Sequence, residues 1–252
     1  MSKARRKKQT LVVVGAHPDD IVFVGGIAAK YAAEGHKVYS LSVTLGETIR
    51  KPGPEQGKIK QVRREEGIDI AKILGAEFVH LDVPSNKIIP TMEMKMKLVD
   101  AIRALKGNIV LTTTPWDVHA DHRNLSWTMR DVIYYVGHEG IKADYPPCEL
   151  RGAYMYDIEM AHNELHTPDF VVDITDYADI KYKSFLSKKR AVAYGLESGR
   201  QWAEQGETWS RFWGMRYGVK YAEPLYQAWG SMTTTDPMRK LKVLDRLPLI
   251  GE

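Results

Sequence analysis

The run Leu11-Val12-Val13-Val14 constrains the fold most: it is β-branched, strand-sized, and stops abruptly at Gly15 before a polar turn and a helical stretch. The same alternation recurs through the first half of the chain. Short β-branched runs predict strands over residues 10–14, 37–44, 77–81 and 109–113. Between them, helical patterns over 26–34, 58–74 and 92–105 stop at Gly35, Gly75 and Gly107, residues suited to a helix end. In the third of these, Met92, Met96, Val99 and Ile102 fall at three- and four-residue spacing, and the methionines read as core filler. Strands alternating with helices form βαβ units, so the expected class is α/β with a mostly parallel sheet. Further on, a helix is expected over 121–136, strands over 153–158 and 170–174, and a helix over 176–194. The segment 48–57 holds Pro52, Gly53, Pro54 and Gly57 and reads as a loop at a strand's carboxyl end, where open α/β sheets bind ligands. No repeat or compositional break marks a linker. We expect a basic, disordered leader over 1–9 and one domain over 10–252.

Two polar clusters follow predicted strands. Gly15-Ala16-His17-Pro18-Asp19-Asp20 comes directly after the first, and Pro115-Trp116-Asp117-Val118-His119-Ala120-Asp121-His122 after the fourth. Imidazole nitrogen and carboxylate oxygen suit a borderline or hard divalent ion, and Pro18 fixes the backbone between the donors. Parallel strands end on one edge, so the clusters can converge across about a hundred residues. His17, Asp20 and His122 supply three ligands with one position open, the arrangement of a catalytic zinc site, leaving the second carboxylate free to accept a proton from water.

These residues resemble the PIG-L (LmbE-like) family of zinc-dependent N-deacetylases: Ala-His-Pro-Asp-Asp after the first strand, then His-x-Asp-His. The resemblance extends through Gly25-Gly26, Gly46-Glu47, Arg63-Arg64-Glu65-Glu66, Asp173-Ile174-Thr175, Lys181 and Tyr221-Ala222-Glu223, in order. It implies a Rossmann-like three-layer fold, a homo-oligomer, one zinc ion per subunit, and removal of acetyl from an N-acetylglucosaminyl-type small molecule. Position by position, it implies His17, Asp20 and His122 as zinc ligands and Asp19 as general base. His119 would be the acid or oxyanion partner, and Arg63, or Arg64 beside it, a substrate contact, the other reading of Arg63 being a surface charge of its helix. Asp121 would orient His119. Where the family continues with Glu, this chain has Ile21, which changes the polarity beside the site and argues for a divergent substrate.

Five of the six tryptophans bear on the substrate in different ways. Trp116, beside the second cluster, is a candidate sugar contact by position. Trp202, Trp209, Trp213 and Trp229, among Phe212, Tyr217, Tyr221 and Tyr226, read as packing or oligomer contact ahead of a sugar platform. The remaining histidines, His166 among them, have no matching context.

Bulk properties exclude other classes. Net charge is +4, and Lys3, Arg5, Arg6, Lys7 and Lys8 account for it, so the body is near neutral and nucleic acid is not an expected partner. No apolar run approaches the ~18 residues of a membrane span, no secretory h-region follows the basic leader, and Cys148 is the single cysteine. A cytoplasmic protein without membrane insertion is expected. Three rival readings stand beside the deacetylase. A nucleotide-binding Rossmann protein would need glycines where His17, Asp19 and Asp20 stand. The others are a metal amidase for a non-sugar amide and an inactive binding module.

Overall fold

The structure is a computed structural model that describes residues 8–48, 58–158, 166–187, 196–228 and 242–244. Eight strands form one sheet in the order β3-β2-β1-β4-β5-β7-β6-β8. They are β1 (Thr10–Gly15), β2 (Lys37–Thr44), β3 (Glu77–Val83), β4 (Ile109–Thr113), β5 (Gly152–Tyr156), β6 (Phe170–Asp173), β7 (Ala222–Gln227) and the short β8 (Lys242–Leu244). The helices are α1 (Gly25–Ala33), α2 (Ile59–Leu74), α3 (Met92–Ala104), α4 (Ala120–Val136), α5 (Ala178–Phe185) and α6 (Leu196–Arg216). From β3 to β5 all neighbours are parallel, while β7 runs antiparallel to both β5 and β6.

The alternating side chains of β1 build both core layers. Leu11 and Val13 pack with α1 and α2 residues such as Ile27, Ile70 and Leu74. Val12 and Val14 pack on the opposite face with Leu98, Ile102, Leu125 and Met129 of α3 and α4. Helices therefore cover both faces of the parallel sheet, as the βαβ reading requires. Chain order reverses at β1, which has β2 on one side and β4 on the other, so the crevice at their carboxyl ends is a topological switch point.

The structure departs from expectation in several places. The helix expected over 176–194 begins as a 3-10 turn (Thr175–Tyr177), and its α-helical part is Ala178–Phe185; 188–195 lie outside the described residues, as do 1–7 of the expected leader, 49–57 of the expected loop, and Trp229. Gln9 of that leader is already folded in: it is buried, and its carbonyl accepts from the Lys37 amide at 3.0 Å. Neither α6 nor β7 is among the expected elements, and Pro224 argues against a strand. The proline is tolerated because β5 pairs only with Tyr226 and Gln227, so the β7 edge facing β5 needs no N–H at Pro224.

The scattered sequence landmarks meet beneath α1. Glu223 of β7 accepts from the amides of Gly26 and Ile27 at 2.9 and 2.8 Å, serving the otherwise unpaired first turn of α1. Lys181 of α5 pairs with Glu223 at 2.8 Å and also donates to the Phe23 carbonyl at 3.0 Å and to Ser210 at 3.1 Å. With Glu223 at 0% and Lys181 at 2% exposure, this is a buried ion pair whose lone pairs and protons are well used. It braces the helix that follows the first polar cluster.

Candidate metal centre

The first cluster leaves β1 at Gly15 and turns into a 3-10 helix, Asp20–Val24. Asp20 Oδ2 accepts from the His17 amide at 3.0 Å, closing the turn on itself and leaving Oδ1 to point elsewhere. Only glycine fits at position 15, since a Cβ there would lie 2.6 Å from that of Asp20. The second cluster leaves β4, where the Thr113 hydroxyl donates to the His122 carbonyl at 2.9 Å. His119 is the N-cap of α4, its Nδ1 accepting from the Asp121 amide at 3.1 Å.

The two loops converge. His17 Nδ1 lies 3.0 Å from His122 Nε2, and Asp20 Oδ1 lies 3.7 Å from the first and 3.5 Å from the second. The His119 ring stands 4.7 Å from that of His17 and 4.8 Å from that of His122, centroid to centroid. His17, His119 and His122 offer nitrogen atoms all within 4.8 Å of one another, a group that can hold a metal ion.

Each central histidine has its outer nitrogen against a carboxylate. His122 Nδ1 is 3.0 Å from Asp117 Oδ2, and Asp117 Oδ1 accepts from the His119 amide at 2.7 Å. His17 Nε2 is 3.4 Å from Asp121 Oδ2. This corrects one expectation: the Asp121 carboxylate sits against His17, whereas only its backbone amide meets His119. Asp117 lies within the second polar cluster, where the sequence alone gives it no role; its signal is a carboxylate five residues before a candidate ligand histidine.

Electrostatics follow from this crowding. Burial pushes the His122 imidazolium down, but Asp20 and Asp117 outweigh it and lift its pKa to about 10. His17 is raised likewise, with Asp121 and Asp20 overcoming burial. Burial would raise Asp20, yet His122 and His17 hold it well below the usual carboxylate range. His119 is lowered by burial and by the charges of His17 and His122, so it is the neutral member of the group. A site that draws protons to nitrogen atoms aimed inward is one that a cation can occupy in their place.

The resemblance places Arg63 at the substrate, but it is 0% exposed. Its Nη2 donates to Asp19 Oδ1 at 2.7 Å, its Nη1 to Glu66, and its Nε to the Leu45 carbonyl at 3.1 Å. Glu66 is legible in the sequence only as the end of the Arg-Arg-Glu-Glu landmark. Trp116 donates its indole N–H to Asp157 at 3.3 Å and stacks on the exposed His166 with centroids 4.0 Å apart. Tyr226 bonds the other Asp157 oxygen at 2.6 Å. Ile21 is 2% exposed and belongs to the core with Leu11 and Ile27, so the departure at this position alters packing under the turn rather than adding or removing a donor at the site. Trp209, Trp213 and Tyr217 pack on one another at the end of α6, with Trp213 buried, while Phe212 stacks on Trp209 but stays 46% exposed.

Comparison with known proteins agrees with this geometry. The family model for PIG-L, GlcNAc-PI de-N-acetylase, matches residues 12–133, the span that carries both loops. The 4-oxalmesaconate hydratase of Pseudomonas putida is 26% identical over 183 residues, 69% of this chain and 71% of the hydratase. A conserved protein from Thermus thermophilus superposes with a TM-score of 0.75 at 26% identity, covering 92% of this chain and 96% of its own. The N,N'-diacetylchitobiose deacetylase of Pyrococcus horikoshii gives a TM-score of 0.77 at 21% identity, over 91% of this chain and 87% of its own. With the order of strands, the two loops and the matched span in agreement, residues 12–133 of the chain match the PIG-L family model, and the chain as a whole is similar to proteins of that fold.

Proposed function

We propose that the chain is a zinc-dependent hydrolase that removes the acetyl group from an N-acetylated amino sugar, with His17, Asp20 and His122 as the metal ligands. The observation that carries this reading is the triangle of His17 Nδ1, His122 Nε2 and Asp20 Oδ1, with sides of 3.0, 3.5 and 3.7 Å. Donors about 2.1 Å from a tetrahedral ion sit roughly 3.4 Å apart, so the donor set fits zinc. The outer nitrogens of both histidines rest on carboxylates, which fixes the tautomers a metal needs. A divalent ion held there supplies Lewis acidity, polarising an acetyl carbonyl and making water easier to deprotonate.

The chain's own groups then carry the proton. Asp19, aimed by Arg63, takes a proton from the attacking water as oxygen adds to the acetyl carbon. His119 accepts the Asp121 amide at Nδ1, so its proton sits on Nε2, where it donates to the developing oxyanion. The proton held by Asp19 passes to the departing amine, leaving acetate and a free amino sugar. Arg63 acts here through Asp19 as a positioning residue.

A second reading, addition of water to a carbon–carbon double bond, is favoured by the similarity to the hydratase. The test is a panel of N-acetylglucosaminyl compounds assayed for acetate release with and without zinc, beside a conjugated oxo-enoate followed by loss of ultraviolet absorbance. Zinc-dependent acetate release supports the deacetylase; absorbance loss without acetate from any sugar replaces it with the hydratase.

A further inference from the structure

The landmark Gly46-Glu47 takes no part in the chemistry above, yet it stands at the carboxyl end of β2, next to the site. Gly46 adopts a φ of +61°, and a Cβ on it would lie 2.8 Å from Arg63 Nη2 and 3.3 Å from His17 Cδ2. The next residue, Glu47, turns its carboxylate to the loop that follows β3. Glu47 Oε1 accepts from the Ser85 amide at 3.1 Å and Oε2 from the Ser85 hydroxyl at 2.7 Å. Asn86, held in the left-handed region at φ 63°, then donates its amide to Asp121 Oδ2 at 2.8 Å. That same oxygen faces His17 Nε2 at 3.4 Å.

We infer that Glu47 is a positioning residue of the metal centre: by clamping Ser85, it holds the Asn86 amide under Asp121 and so fixes the tautomer and direction of His17. The inference rests on the proposed zinc site. A carboxylate with two charge-assisted hydrogen bonds to one residue sets the path of that loop more firmly than neutral contacts would. The next amide along the loop is the donor that steadies the Asp121 oxygen facing His17. Loss of a direct outer partner of a metal ligand costs about 10- to 100-fold in metal affinity; Glu47 acts on that partner only through the loop, so Glu47→Ala is expected to lose about 10-fold, the lower end of that range. Glu47→Gln, which keeps an acceptor for the Ser85 amide, recovers part of it. Asn86→Gly keeps both the amide and the left-handed backbone, so its affinity stays near that of the parent protein.

The experiment titrates zinc into the metal-free full chain by competition with a chromophoric chelator and records the visible spectrum of the cobalt-substituted protein. A weakened zinc affinity and an altered cobalt spectrum in Glu47→Ala, with Asn86→Gly unchanged in both, is the expected result. Zinc held by Glu47→Ala as tightly as by the parent, with the same cobalt spectrum, overturns the inference while leaving the zinc site standing. A parent protein that binds no zinc overturns the site reading and the inference with it. A melting temperature for metal-free Glu47→Ala that drops without any change in affinity or spectrum assigns Glu47 to fold stability alone and also overturns it.

Discussion

The two loops that form the candidate metal centre secure their histidines by opposite means. His122 is held within its own segment: Asp117 is five residues away, Thr113 holds its carbonyl, and α4 begins beside it. His17 depends on other parts of the chain: its outer nitrogen rests on Asp121 of the second loop, which Asn86 of a third loop steadies. The second loop supplies the outer partner of its own histidine, while the first takes that partner from its neighbour. Damage to the second should therefore spread to the first, which leans on it, and damage to the first should stay local.

The harshest break is His122→Ala. Removing a ligand from the second loop should take zinc below stoichiometric content by elemental analysis, and turnover with it; stoichiometric zinc in that variant would rule out His122 as a ligand. Asp19→Asn, in the first loop, should do the reverse: full zinc content with turnover reduced about 100- to 10,000-fold, read in the acetate-release assay. Next come the two outer carboxylates. Asp121→Ala and Asp117→Ala should each weaken zinc binding by about 10- to 100-fold, with Asp117→Ala the more damaging because it also frees the His119 amide. Equal losses would show that the contrast between the loops has no energetic weight.

The last test is a proton linkage. His122 rises from about 6.5 in the unfolded chain to about 10 in the metal-free fold, where Asp20 and Asp117 overcome burial. A raised imidazolium contributes stability fully below about pH 6.5 and loses it as pH climbs through about 10. The melting temperature of the metal-free protein should fall across that window, and saturating zinc, which displaces the proton, should flatten the slope. A metal-free protein whose melting temperature ignores pH in that window would remove the charge argument for His122.

What can be read from sequence follows the same division. The parallel strands are legible because each is a β-branched run ended by a polar turn; β2 and β4 match the expected bounds, and β1 and β3 run one and two residues further. His17, Asp20 and His122 are legible because strand ends of a parallel sheet share an edge. The partners are not. Nothing in the spacing of Asp121 tells whether it faces His119, two residues back, or His17, across the cleft; a helix start presents it to either. Arg63 reads as a surface helix charge or a substrate contact, since its burial depends on Glu66 and Asp19 arriving at both ends of the guanidinium. β7 is hidden by Pro224, whose cost vanishes only because β5 stops short of it.

The brace under α1 has a consequence for the order in which the site can mature. The carboxylate that completes the first turn of α1 is joined to it across 197 residues of chain. A chain emerging from the ribosome exposes His17 and Asp20 long before Glu223 exists, and contacts so distant in sequence form late. The turn that aims Asp20 leads straight into α1, so its anchor is among the last pieces to arrive. Assembly of the candidate site with native geometry is thus an event of the finished polypeptide, and a nascent segment ending at residue 133 would hold both loops without the brace that sets them.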